Sequence, residues 1–334
     1  GWTEPSGTIT YAQNSNLSYY HGQHVAGILA GQHYGWATEA NIYNLCVIGN
    51  WPSSTSHWVG SLLIFDYLRA FHLNKAVNST TGRRNPTITN HSYGGRTTYN
   101  PNNTSYLAFS DIIWVYYRGT YYNSSNPGSS GWSQTGVEKD FGIRFDKKSL
   151  PYWSSSEVAD VQDAIEDGVV IIAAAGNNDQ YGIHVDSTAP EYADWNNKVV
   201  LNLPNGTQYS FNHHRGSSPA NAKGCITVGS ISNLSDIRKS DFSNFGPLID
   251  VWAPGDKIQS AWPNPANIYA ASGYNGIGYL DNKYGGDNWR YTIGGTSMAS
   301  PQVCGIAALL ATGKERLTNS DVLGFIQQLS LIHI

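Results

Sequence analysis

Ser297 stands in the run Gly294-Gly295-Thr296-Ser297-Met298-Ala299-Ser300-Pro301, with the apolar stretch Gly305 to Leu310 behind it. Small residues around a serine let another molecule reach the main chain. A helix that begins here aims free N–H groups and a partial positive charge at a developing oxyanion. A nucleophile needs this setting, although an ordinary Ser/Thr helix cap uses the same residue types. His21 opens a second stretch, HGQHVAGILAG over residues 21–31, in which a histidine precedes the pattern of a buried helix. Its glycines suit positions where another backbone passes closely. A serine hydroxyl is a poor nucleophile until an imidazole takes its proton, so the two stretches are chemically complementary. Asn177 is the third candidate. It follows Val169 to Ala175, a run that reads as a fully buried parallel strand, and ligands of open α/β sheets gather at the C-terminal ends of such strands. Gly176-Asn177-Asn178 also has the composition of a plain turn, and both readings stand.

Several elements must position these residues. Ala40 to Ile48 reads as a buried strand, and Thr87 to Tyr93 as a strand ending in Ser92-Tyr93-Gly94-Gly95. Residues 57–73 carry Val59, Leu62, Leu63, Phe65 and Leu68 at helical spacing, which predicts a core-covering helix. A helix is expected from about Ser156, which can cap it, to Asp167, with Gly168 ending it. Cys225 to Gly229 reads as another buried strand. Alternation of helices with apolar strands predicts an α/β fold: a doubly wound, mostly parallel sheet with helices on both faces, in one domain. Two loop-rich segments interrupt it. Residues 96–155 are expected to form an inserted hairpin and a long loop, and residues 179–221 a second insertion. The adjacent His213 and His214 are expected on opposite faces of an extended chain, unsuited to a metal pair.

With 334 residues, 40% of them apolar and no apolar run of 18, the chain is long enough for a large core and shows no membrane span. A net charge of −4 with 13% charged residues and no basic cluster argues against a nucleic-acid or membrane-surface partner. Eleven Trp and 22 Tyr beside abundant Ser and Asn suit an exposed, extracellular surface. Cys46, Cys225 and Cys304 are odd in number and far apart, which predicts buried thiols, at most one disulfide and no metal site.

Taken together, HGQHVAGILAG around His21, AAAGNN around Asn177, SDFSNFGPLIDVWAPG over residues 240–255 and GGTSMASP around Ser297 resemble the subtilisin-like serine peptidases, in that family's order. The resemblance implies a serine endopeptidase acting through an acyl-enzyme. Ser297 would be the nucleophile, His21 the general base and then acid, and Asn177 a side-chain donor to the oxyanion. It further implies that Ser92, Tyr93 and Gly94 pair with extended substrate and that Ala174, Ala175 and Gly176 form the opposite wall of the specificity pocket. The implied partners are a peptide or protein substrate and a propeptide, and the implied location is extracellular. No cofactor is required by the chemistry. Structural calcium is common in the family, yet residues 31–35 lead His21's helix directly onward where many members carry a long ion-binding loop, so no calcium site is assigned.

The family's catalytic aspartate lies on a strand upstream of the histidine. No aspartate precedes His21 here, and Glu4 stands in a different context. The expectation is therefore a peptidase domain over residues 1–328 that lacks its N-terminal segment and, as it stands, is nearly inactive. Residues 329–334 match one reading frame of a sequencing adapter and are expected to be read-through, the alternative being a plain amphipathic helix end. The alternative is a subtilase-fold structural or binding protein that has lost its acid. Whether the insertions shape the substrate cleft or merely decorate the fold is left open by the sequence.

Overall fold

The computed structural model describes residues 20–45, 61–98, 106–147, 149–184, 193–202, 206–233, 237–263, 279–280 and 289–332. In chain order the helices are α1 (Tyr20–Ala30), α2 (Ser61–Asn74), α3 (Gln134–Phe141), α4 (Ser155–Glu166), α5 (Thr296–Leu310) and α6 (Asn319–Ile332). The strands are β1 (Ile88–His91), β2 (Arg96–Thr98), β3 (Ile112–Tyr117), β4 (Thr120–Tyr122), β5 (Ser149–Pro151), β6 (Val170–Ala174), β7 (Lys198–Asn202), β8 (Gln208–Asn212), β9 (Ile226–Ile231), β10 (Val251–Pro254), β11 (Ile258–Trp262), β12 (Tyr279–Leu280) and β13 (Trp289–Ile293). Glu4, Cys46 and Val59 lie outside the described residues, as do the beginnings and ends of several expected segments.

The central sheet is parallel, in the order β1-β6-β9-β10. Of its two inner strands, β6 is buried along its whole length, and its side chains alternate between two cores. Ile171 and Ala173 pack with Phe65 and Leu68 of α2 and Val158 and Val161 of α4. Val170 and Ile172 pack with Val303 and Ala307 of α5 and Val322 of α6, joined by Ile226 and Val228 of β9. Helices thus cover both faces, giving the doubly wound α/β arrangement. Helix α4 starts where Ser154, rather than Ser156, accepts a hydrogen bond from the Glu157 amide. Gly168 follows it in the left-handed region, at φ 98°.

Two expected elements differ. Leu63 is 59% exposed, whereas Ile64, Phe65 and Leu68 face the core. One residue is about 100° of helix rotation, enough to turn Leu63 to water while its neighbour packs. Residues 41–45 form no strand, and Ile42 and Tyr43 are 52% and 64% exposed. Apolar composition does not by itself make a strand where no ladder partner is present among the described residues.

Segments 96–155 and 179–221 meet in one antiparallel sheet, β4-β3-β7-β8. The hairpin β3–β4 turns at Arg118-Gly119. The expected long loop contains α3, capped by Ser133, which accepts from the Gly136 amide at 3.1 Å. Val137 and Phe141 of α3 join Val115, Leu150, Val199 and Phe211 in a separate core. His213 and His214 lie beyond the end of β8, with ring centroids 4.1 Å apart, so the expected opposite facing is corrected. The strict alternation of a strand no longer applies there. His213 Nε2 bonds the Phe141 carbonyl and His214 Nδ1 meets the Asn197 amide. Cys225 and Cys304 are buried free thiols.

Helix α1 crosses α5 and the antiparallel pair β11–β13. A Cβ on Gly27 would come within 2.4 Å of Ser260 Oγ and 2.8 Å of Ala261 Cβ, so this crossing requires glycine. None of the described helices is long and apolar enough to cross a membrane.

Candidate active site

Ser297 occupies the first turn of α5. Pro301 lies inside the same helix and has no N–H, so the Ser297 carbonyl loses its partner one turn on. Ser92, just past the C-terminal end of β1, fills the gap by donating Oγ–H to the Ser297 carbonyl at 2.8 Å. In return Ser297 Oγ donates to the Ser92 carbonyl at 3.2 Å. Asn90 completes the tie. Its Nδ2 donates to Ser92 Oγ at 2.9 Å, and its Oδ1 accepts from Ser300 Oγ at 2.7 Å. The end of β1 and the start of α5 are locked by a directed chain of neutral hydrogen bonds.

Asn177 is oriented by Thr296. Its Oδ1 accepts from both the Thr296 amide and Thr296 Oγ1, each at 2.9 Å, while Thr296 Oγ1 accepts from the Gly176 amide at 3.1 Å. With the carbonyl oxygen doubly bonded, the Nδ2 donors turn toward Gly295. A Cβ there would come within 3.3 Å of Nδ2, so glycine leaves the space in front of the amide open.

Sequence reasoning missed the residue that shapes this loop. Asn244, fully buried, donates Nδ2 to the Ala175 carbonyl at 2.7 Å and accepts on Oδ1 from the Asn178 and Gln180 amides, each at 3.0 Å. Its own amide bonds the Gly176 carbonyl at 2.9 Å. One side chain thus braces residues 175–180. Beyond it, Asp179 accepts from Lys239 Nζ at 2.8 Å and from Arg144, which comes from the first inserted segment.

His21 sits in the first turn of α1, half-buried, and its pKa is lowered by burial. Together with Ser297, Asn177, Gly295 and Met298 it lines a cleft of about 360 Å³. Among the described contacts it makes no hydrogen bond to Ser297, whose hydroxyl rests on Ser92, and no carboxylate contributes to its shift. The helix is held from behind. His24 Nε2 donates to the Ile258 and Tyr291 carbonyls, each at 3.1 Å, and its own carbonyl accepts from Ser260 Oγ at 2.8 Å. Burial depresses His24 to about 4, so it works as a neutral pin between α1 and the paired strands β11 and β13, the second of which leads to Gly294.

The remaining expected residues divide. Tyr93 and Gly94 have main-chain N–H and C=O groups that form no hydrogen bond among the described residues, whereas Gly95 is paired with Ser218 and Tyr152. They therefore present a short open edge. Ala174 and Ala175 are buried, and neither they nor Gly176 lines the cleft. The main chain of Ala175 and Gly176 is fully used by Val228, Asn244 and Thr296. No three His, Cys, Asp or Glu side chains gather as metal ligands among the described residues.

Residues 2–331 match the model of the subtilase family of peptidases, and the chain belongs to that family. It is 27% identical over 302 residues to the alkaline proteinase of Hapsidospora chrysogena, covering 90% of this chain and 44% of that protein. It is 27% identical over 292 residues to alkaline protease 1 of Aspergillus clavatus, covering 87% and 42%. The chain thus spans less than half the length of these relatives. Among solved structures, a cold-adapted subtilisin-like serine proteinase aligns at 23% identity and a TM-score of 0.48, covering 93% of this chain and 67% of that one.

Proposed function

We propose that the chain carries the reactive centre of a serine endopeptidase that forms an acyl-enzyme on Ser297. The observation behind this reading is the shared placement of Ser297, Asn177 and His21 on one cleft at the N-terminus of α5. An extended peptide would lie along the open edge at Tyr93 and Gly94, bringing its scissile carbonyl to the start of α5. Ser297 Oγ then swings off the Ser92 carbonyl, His21 takes its proton, and the oxygen attacks the carbonyl carbon. Asn177 Nδ2 and the helix N-terminus receive the oxyanion, and both are fixed before reaction, so little reorganisation accompanies the charge. Collapse of the tetrahedral intermediate breaks the C–N bond as His21 returns the proton to the leaving amine. Water attacks the acyl group by the same route and frees Ser297.

Among the described residues, burial alone lowers His21, which suits it to take a proton in its neutral form. The second reading is a subtilase-fold protein that binds without cleaving. Secretion, a propeptide and peptide or protein substrates follow from the family and belong to the proposal. The Arg144–Asp179 link supports a role for the first inserted segment in bracing the loop after Asn177.

Cleavage of a fluorogenic octapeptide compared with Ser297→Ala separates the two readings. The expected result is hydrolysis that is lost in the variant. Equal rates would leave only the binding protein.

A further inference from the structure

The open edge at Tyr93 rests on a buried hydrogen-bond chain that the reaction does not use. Thr89, His91 and Tyr93 alternate with Asn90 and Ser92 along β1 and its exit, so they occupy the face away from the residues that serve Ser297. Thr89 Oγ1 is 3.1 Å from the Val170 carbonyl, which only accepts, so the threonine hydrogen is committed there. His91 Nε2, 2.9 Å from the same Oγ1, must then be the N–H donor. In a neutral ring Nδ1 keeps its lone pair, and the Tyr93 hydroxyl donates into it at 2.8 Å. Direction is fixed at every link: Tyr93 to His91 to Thr89 to Val170.

The surroundings keep the chain neutral. His91 is 3% exposed, and Phe65 stacks on its ring at 5.2 Å between centroids. Burial brings His91 down to about 4 and pushes the Tyr93 phenol up, with Glu157 and Cys225 the ionisable groups facing that phenol. Between Ser92, tied to Ser297, and Gly95, tied to Ser218, this is the tether that holds the backbone of the open edge. A tyrosine fixed at its hydroxyl has only two side-chain torsions through which its Cα can shift.

We propose that Thr89 and His91 are positioning residues that, through Tyr93, set the height and angle of the Tyr93–Gly94 main chain and hence its grip on an extended peptide. This rests on the peptidase reading of the cleft, and these side chains touch no reacting atom.

The test compares two reagents on the chain and on its Thr89→Val and His91→Phe variants. A small alkyl fluorophosphonate reads the reactivity of Ser297 alone. A tetrapeptidyl diphenyl phosphonate also needs the peptide edge. Each variant is expected to lose about tenfold in inactivation rate with the peptidyl reagent, the scale of one net hydrogen bond, and to stay within about twofold with the small one. Thr89→Val is nearly isosteric and carries the test should His91→Phe fail to fold. Nitrogen-15 NMR of the unmodified chain at pH 7 should show His91 as the Nε2–H tautomer. Equal losses with both reagents, no loss with the peptidyl one, or an Nδ1–H tautomer would each overturn the inference. A folded chain that reacts with neither reagent removes the peptidase reading, and this role with it.

Discussion

Ser297 and Asn177 reach the cleft through a web of directed hydrogen bonds, whereas His21 arrives on a helix held by packing and by one buried histidine behind it. On the nucleophile side, Thr296, Ser92, Asn90 and Asn244 use neutral donors and acceptors whose partners are almost all backbone or fixed amides. On the base side, the His21 ring has no hydrogen-bond partner among the described contacts, and α1 depends on the Gly27 crossing and on His24. Among the described residues the directed hydrogen bonds are thus concentrated around Ser297 and Asn177, where the proposed reaction would develop charge. Oxyanion stabilisation gains most from donors that do not move, which suits the rigid side to that task.

Removing the rigid donor should have the largest effect. Asn177→Ala is expected to lower the rate of Ser297 acylation by about 10² to 10³, the loss measured for such a donor in subtilisin itself. Stopped-flow acylation with an activated ester reads this directly. An unchanged rate would mean that the fixed amide is structural, and the contrast between the two sides would lose its functional sense.

A smaller effect separates the sides by pH. His24, His91 and His213 are each lowered by burial to about 4. In the unfolded chain a histidine titrates near about 6.5. Between those values the unfolded state binds more protons, so stability rises with pH; it is complete above about 6.5 and is lost as pH falls toward about 4. The web around Ser297 contains Asn, Ser and Thr, which do not titrate. Hydrogen-exchange protection factors, taken against the intrinsic rate at each pH, should therefore fall in α1, behind His24, and in β1, around His91, as pH drops from about 6.5 to about 5, while the first turn of α5 keeps its protection. Equal loss of protection in α1 and α5 would dissolve the distinction.

Much of this was legible in the sequence because it is local. The buried run of β6, the glycines around Ser297 and the pattern after His21 each announce an element, and the structure brings His21, Asn177 and Ser297 to one cleft. What the sequence hid depends on distance. Asn244 sits in a stretch already conspicuous, yet its bracing of residues 175–180 spans more than sixty residues of chain. Pro301 was visible, but only the fold shows that Ser92 answers the carbonyl it orphans. Helix α3 escaped because eight residues give too short a period to stand out from loop composition. The misread strand at 41–45 and the misplaced Leu63 have one cause: hydrophobicity fixes burial only after neighbours are known.

The central claim is that Ser297 is a nucleophile served by His21 and Asn177. Its most direct test is exposure of the folded chain to an alkyl fluorophosphonate, followed by peptide mapping by mass spectrometry. The expected result is a single adduct on Ser297, slowed in His21→Ala and Asn177→Ala and absent in Ser297→Ala. Folded protein that gains no adduct, or gains it at another serine, would contradict the account.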